Sequence, residues 1–330
     1  MSTTLHRLAT VAAIVTFCVI ILGAYVRLSH AGLGCPDWPG CYGELTWPNA
    51  ANEIQSANEA YPDRPVEFDK AWKEMIHRYM AGFLVILVAT IALLAWRAPL
   101  ADRGIRFLAT AILGLILFQA ALGMWTVTLK LMPLVVMAHL LGGMTTFTLL
   151  TWLAIRTSRT PSSSPPIQFR QFRPLIIASF VVLSLQIALG GWTSANYSAL
   201  ACPDFPVCHG SYWPEANYVD GFTLWREIGV DYEGGILDLQ ARVAIHWVHR
   251  LGAVFTFLFL GIMALKLLRR NITQRSGLIL MVLLLTQVTL GILNVTLYLP
   301  LPNAVAHNGV AALLLAQLVY LLHRATPQKI

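Results

Sequence analysis

The chain has 330 residues, of which 57% are hydrophobic and only 12% charged, where an average soluble domain is roughly 45–50% apolar and about 25% charged. A water-soluble fold is excluded, and the mean hydropathy of +0.64 makes the question how many bilayer spans of about 20 residues the chain holds. The net charge of +7 comes from cations at the ends of apolar runs rather than from a separate basic stripe, which excludes nucleic acid as a partner and fits anionic membrane lipid.

Eight apolar runs are long enough to cross a membrane, at about 8–27, 76–96, 106–128, 133–155, 174–195, 243–267, 277–298 and 303–322. The first lacks a small-residue cleavage site and is too long for a signal peptide, so it reads as a retained helix. A polar loop of about 28–75 follows it, and a second, about 196–242, follows the fifth run. Arg97, Arg103 and Arg106, then Arg156, Arg159, Arg170 and Arg173, then Lys266, Arg269, Arg270 and Arg275 occupy the connections on one side. Cationic loops stay in the cytoplasm. The two long loops carry most of the acids, among them Glu44, Glu53, Glu59, Asp63 and Glu67 in one and Asp204, Glu215, Asp220, Glu227 and Asp231 in the other. These patterns predict an all-α integral membrane protein of the cell (inner) membrane, with both termini cytoplasmic and the long loops on the outer, periplasmic side.

The sequence matches itself. An offset of 167 carries Gly23, Cys35, Pro36, Asp37, Trp38, Pro39, Cys41 and Gly43 onto Gly190, Cys202, Pro203, Asp204, Phe205, Pro206, Cys208 and Gly210. An offset of 172 carries Glu74, His77, Arg78 and Phe83 onto His246, His249, Arg250 and Phe255, and one of 168 carries Gln119, Gly123, Val127, Thr128 and His139 onto Gln287, Gly291, Val295, Thr296 and His307. Three blocks in order indicate an internal duplication. Each half starts on the same side of the membrane, so the repeats are parallel. The expected organisation is an N-terminal four-helix repeat over 1–156, a cytoplasmic linker over 157–173 containing the Ser/Pro-rich stretch from Thr157 to Pro166, and a C-terminal four-helix repeat over 174–330.

Five histidines, His77, His139, His246, His249 and His307, fall within the spans, where an ionisable side chain is costly and needs a partner. His77 and His139 each lie a few residues inside the outer end of a span, so at ~1.5 Å per residue both sit within about 10 Å of the outer surface. The same arithmetic holds for His249 and His307. Two histidines at matched depth on different helices can supply both axial nitrogens of a haem iron. A local hydrogen bond is the simpler role for any one of them, but two matched pairs favour ligation. The spans offer no thiolate or carboxylate cluster for zinc or copper.

Arg78 and Arg250 follow the first histidine of each pair and suit a propionate near the outer surface, with snorkelling to the interface as the alternative. Glu74 lies three residues before His77, on the same helical face, and the second half has His246 in that place. One pocket therefore carries a carboxylate able to handle protons and its copy does not. The alternative for Glu74 is a solvated interfacial group. Cys35 and Cys41, and likewise Cys202 and Cys208, sit in outer loops where disulfides form. Closing so short a loop contributes roughly 2 kcal/mol on the chain-entropy model, and each pair reads as a clasp over its pocket or as a redox group. Cys18 reads as a small core residue, and the loop aromatics Trp38, Trp47, Tyr61, Trp72, Tyr212, Trp213 and Trp225 as interfacial residues.

Eight spans in two repeats, Glu-x-x-His-Arg at 74–78, His-x-x-His-Arg at 246–250, single histidines at 139 and 307 and a cysteine pair in each outer loop resemble the haem A synthase family over nearly the whole chain. The resemblance implies an oxygenase that converts the C8 methyl of haem O, through two hydroxylations to a geminal diol, into the formyl group of haem A for cytochrome oxidase. It implies a permanent haem B held by His249 and His307, substrate haem O held by His77 and His139, Glu74 as the catalytic or proton-handling carboxylate, and cysteine pairs Cys35 with Cys41 and Cys202 with Cys208. It implies a haem O synthase and an electron donor as partners, and a homo-oligomer is left open. The competing reading is a dihaem b-type membrane cytochrome passing electrons from quinol, with two equivalent haems and no need for Glu74. A thiol oxidoreductase using the cysteines and a transporter built on the repeat are weaker alternatives.

Overall fold

The computed structural model describes residues 3–98, 102–158 and 167–326. Its helices in chain order are α1 (Thr3–Leu28), α2 (Ala51–Ala60), α3 (Phe68–Arg97), α4 (Arg103–Thr128), α5 (Pro133–Thr157), α6 (Ile167–Arg170), α7 (Arg173–Ala195), α8 (Tyr218–Gly221), α9 (Leu239–Leu268), α10 (Gln274–Thr296) and α11 (Leu301–Ala325). Among the described residues there is no strand beyond two isolated bridges, Cys41 with Glu44 and Cys208 with Ser211. Eight helices, α1, α3, α4, α5, α7, α9, α10 and α11, are long and apolar enough to span a bilayer, as the hydropathy predicts.

The helices overrun the apolar runs because local capping, rather than hydropathy, sets their ends. Asp102 accepts from Ile105 N and Asp238 from Ala241 N, both at 2.7 Å, satisfying donors that the first helical turn leaves open. Prolines start α5, α7 and α11, where the missing N–H costs nothing. α3, which has no side-chain cap, begins at Phe68, well before residue 76, and Glu74 and His77 lie within one continuous helix. The short helices α2, α6 and α8 were not expected from the sequence. α2 is capped by Glu53, whose Oε2 accepts from Asn49 N at 2.9 Å and Ala50 N at 3.0 Å. Residues 159–166 of the expected linker lie outside the described residues, and α6 is part of what is described.

α1 packs against α3 and α5, and α4 packs against the same two; α7 packs against α9 and α11, and α10 against the same two. Contacts of α11 with α1 and α5, and of α5 with α7, join the two groups. One buried apolar cluster runs across that junction from Ile20, Met144 and Phe147 to Leu183, Ile187, Leu260 and Leu314. Large apolar side chains such as Ile86, Phe107, Leu185 and Val254 stay exposed on the outside of the helices, a surface that hydrocarbon and not water would solvate.

The internal duplication extends to backbone conformation. Non-glycine residues with positive φ occur as His30 and Tyr197, Tyr42 and His209, Lys130 and Tyr298, and Leu131 and Leu299, each couple separated by the sequence offset of 167 or 168. A left-handed conformation costs a side-chain-bearing residue about 1 kcal/mol or more. Its recurrence at matched turns fixes how equivalent helices enter and leave.

The second long loop, between α7 and α9, does not stay over its own helices. Tyr232 is fully buried against Leu33, Leu122, Val127, Leu131, Met132 and Val135 of the N-terminal half. Its backbone N–H donates to Lys130 O at 3.0 Å, and its hydroxyl to Glu227 O at 2.6 Å. Arg64 pairs with Asp231 at 2.5 Å and Glu233 at 2.9 Å. The segment 227–233 is a strap laid across the first outer loop.

Candidate functional site

Each of the four paired histidines lies with its ring against a glycine of a neighbouring helix. A Cβ at Gly23 on α1 would stand 2.9 Å from His77 Cε1 on α3, and one at Gly190 on α7 would stand 3.1 Å from His249 Cε1 on α9. A Cβ at Gly123 on α4 would stand 3.4 Å from His139 Cε1 on α5, and one at Gly291 on α10 would stand 3.1 Å from His307 Cε1 on α11. The missing side chain is what lets the imidazole lie flat on its neighbour, so these glycines belong to the site. Their recurrence at the repeat offsets was the available signal, and sequence reasoning left it unassigned.

His77 on α3 and His139 on α5 share the first group of packed helices, and His249 on α9 and His307 on α11 the second. Among the described residues no group of three or more His, Cys, Asp or Glu side chains is placed to hold a metal ion. The donor set is therefore a pair of imidazoles, which suits axial ligation of a haem iron and leaves tetrahedral zinc incomplete. Nδ1 of His77 and of His139 is buried without a hydrogen-bond partner. Such orphaned polar atoms are costly inside a protein, which fits rings committed to another group through their free edge.

Beside His77, Glu74 is buried, so the solvated reading of this carboxylate is overturned. Its Oε2 accepts from Cys35 N at 2.9 Å, and its Oε1 accepts from Arg78 Nη2 at 2.5 Å. The equivalent position beside His249 is His246, also buried, whose Nδ1 lies 3.2 Å from Cys202 N and whose Nε2 lies 3.2 Å from Arg250 Nε, of which a neutral imidazole accepts from one. The two side chains occupy one structural node, between the first cysteine of the cysteine loop and the arginine four residues on, with a carboxyl group in one half and an imidazole in the other.

Both arginines bind the cysteine loops. Arg78 Nη1 donates to Asp37 O at 2.9 Å and Gly40 O at 2.5 Å. Arg250 donates to Asp204 O at 2.8 Å, Val207 O at 2.9 Å and Cys202 O at 2.6 Å. Cys35–Cys41 and Cys202–Cys208 are disulfides with the same Cα–Cα distance of 4.8 Å. Inside each loop an aspartate turns back on the chain: Asp37 accepts from Tyr42 N and Gly43 N, and Asp204 from His209 N and Gly210 N. The Gly210 and His209 amides hold the Asp204 carboxyl below the usual carboxylate range. Burial, with the Glu67 carboxylate nearby, pushes the Tyr42 phenol up to about 12.

The remaining histidines have local partners. His6 Nδ1 lies 2.9 Å from Ala154 O, His209 Nε2 lies 2.8 Å from Ala201 O, and His30 stacks on Tyr197. Cys18 is exposed on α1, so the expectation of a core cysteine is corrected: its side chain faces outward from the helix packing. Of the loop aromatics, Tyr212, Trp213 and Trp225 are exposed, whereas Trp47 and Tyr61 pack around Tyr42 beneath the first cysteine loop.

The chain is similar to known proteins over almost all of its length. A Heme A synthase of Shewanella oneidensis is 45% identical over 97% of this chain and 97% of its own. Heme A synthases of Halalkalibacterium halodurans, 25% identical over 98% of this chain and 97% of theirs, and of Beijerinckia indica, 26% identical over 93% and 89%, extend the similarity. The family model described as cytochrome oxidase assembly protein (COX15-CtaA) matches residues 6–319. A match of that extent, on a chain with eight helices long and apolar enough to span a membrane and two half-buried histidine pairs, shows that the chain belongs to the cytochrome oxidase assembly protein family.

Proposed function

We propose that this protein is a haem A synthase, an enzyme that oxidises the C8 methyl of haem O to the formyl group of haem A. The reading is supported by the identity to Heme A synthases over the whole chain and, above all, by the single chemical difference between two otherwise matched nodes, Glu74 against His246. Two parallel four-helix repeats lie in the cell membrane with both termini cytoplasmic and the disulfide loops outside. His249 and His307 hold a permanent haem B, and His77 and His139 receive haem O from a haem O synthase in the same membrane. When bound, haem supplies the redox chemistry, with electrons from a partner donor. Each hydroxylation puts one atom of dioxygen into a C–H bond of the methyl, the other atom leaving as water with two electrons from the donor and two protons, and the resulting diol loses water to leave the aldehyde.

The chain's own groups do the rest. The glycine cradles orient the imidazoles, and the buried apolar walls keep bulk water from the reacting carbon. Glu74, one helical turn from His77, handles the proton. Arg78 on Oε1 and the Cys35 amide on Oε2 hold the carboxyl group in place, and that fixed group takes up and releases it. Arg78 and Arg250 fix positive charge beneath the outer loops, where a propionate carboxylate is drawn to lie.

The electron-transfer cytochrome requires two equivalent sites and gives Glu74 no task; the whole-chain identity does not favour it. Replacing Glu74 by Ala tests the assignment: haem B stays bound and haem A formation stops. Haem A formed at the unsubstituted rate would remove Glu74 from the chemistry.

A further inference from the structure

The four histidines are not held alike. In the C-terminal pair both Nδ1 atoms have a partner: Gln186 Nε2 lies 3.0 Å from His249 Nδ1 and donates to His249 O at 3.0 Å, and the Gln287 carbonyl lies 3.1 Å from His307 Nδ1. In the N-terminal pair neither Nδ1 has one. Gln119 stands at the place of Gln287, and its carbonyl approaches His139 without closing a hydrogen bond. At the place of Gln186 the first helix carries Val19. The carboxamide of Gln186 fits because Gly252 leaves room for it, a Cβ there standing 2.4 Å from Gln186 Oε1; at the place of Gly252 the first half carries Met80. Both positions of the amide slot in one half carry apolar side chains in the other.

A ligating histidine is oriented and made more basic when its second ring nitrogen donates to a fixed acceptor, and loss of such a partner costs about 10- to 100-fold in metal affinity. With Nε2 given to iron, His249 carries its proton on Nδ1 and needs an acceptor there. Gln186 Oε1 is buried and has no other partner, and a turn of the carboxamide that gives up its bond to His249 O presents it to Nδ1–H. We propose that Gln186 is a positioning residue that makes the C-terminal histidine pair a permanent haem site, and that Val19 and Met80 leave the N-terminal pair exchangeable. This rests on the assignment of haem B to His249 and His307.

The test uses the full-length chain, purified in detergent after expression without a haem O source, with haem B loss to excess apomyoglobin and the haem midpoint potential as readouts. Gln186→Val should lose haem B about 10- to 100-fold faster at a raised potential. Gln186→Glu, which still accepts from Nδ1–H, should keep haem B at a lowered potential. The double change Val19→Gln with Met80→Gly should slow haem loss from a chain loaded at both sites. Unchanged loss and potential in Gln186→Val overturn the proposal, and equal haem loss from the Val and Glu variants also overturns it by marking mere packing. His249→Ala separates the two layers. If it retains haem B while His77→Ala loses it, the pocket assignment fails and the proposal with it. If it loses haem B and Gln186→Val does not, only the role of Gln186 fails.

Discussion

The two outer cysteine loops and the helices beneath them are built to one plan, down to the aspartate that accepts two amides and the arginine that gathers loop carbonyls. At the node that joins each loop to its arginine, one side chain differs. In the N-terminal half a buried carboxylate bridges Cys35 N and Arg78; in the C-terminal half an imidazole bridges Cys202 N and Arg250. A scaffold can conserve its geometry across a duplication and still assign chemistry to one copy, because a general acid or base needs only one titratable atom at the right place. The surrounding hydrogen bonds are set by backbone groups that either side chain satisfies.

The comparison breaks most directly at the ligands. His249→Ala or His307→Ala should remove nearly all haem B from the purified chain, whereas His77→Ala and His139→Ala should leave haem B bound and abolish conversion of haem O, both read by haem content and extracted products. Exchanging the nodes sharpens it: Glu74→His should stop conversion with the fold and haem B intact, and His246→Glu should leave conversion running, measured as haem A per cell. Equal effects of the two exchanges would make the nodes functionally equivalent.

The strap tests whether one half covers the other. Tyr232→Ala empties a fully buried aromatic site and should lower stability by about 3 kcal/mol, seen as a fall in the thermal midpoint with its largest local effect on proteolysis of the first outer loop. Arg64→Ala breaks ion pairs that solvent screens and should cost well under 1 kcal/mol. Replacing Cys202 and Cys208 by Ser should cost roughly 2 kcal/mol and leave haem B ligation intact at low temperature. The smallest effect is with pH. The Asp204 carboxyl is held below its usual range by the Gly210 and His209 amides, so its support of the loop is complete above pH ~4. That support is lost as pH falls through the lowered value, and reduction of the second disulfide by a phosphine should quicken there but not between pH 5 and 7.

The spans were legible because hydropathy depends only on composition over about 20 residues, and the histidine pairs because an ionisable group in such a run stands out. The helix ends were less so: α3 runs out to Phe68 on the strength of its own turns, which moved Glu74 from an interface into a buried node. The glycine cradles were visible as repeated letters, but a glycine in a span has many uses until the ring that lies on it is known. Gln186 carried no signal, since its counterpart is Val19 and the offset erases the match. The strap was illegible for a different reason: Tyr232 is one aromatic in a polar loop, and only the folded contact with Lys130 and Leu131 tells where it goes.

The central claim is that the N-terminal pair processes haem O while the C-terminal pair keeps haem B. Extraction and chromatography of haems from the purified chain, expressed with and without a haem O-producing enzyme, addresses it in one experiment. Haem B alone without that enzyme, joined by haem O, its hydroxylated product or haem A with it, is the result expected. Two haem B per chain in both preparations, and nothing else, would contradict the account and return the chain to electron transfer.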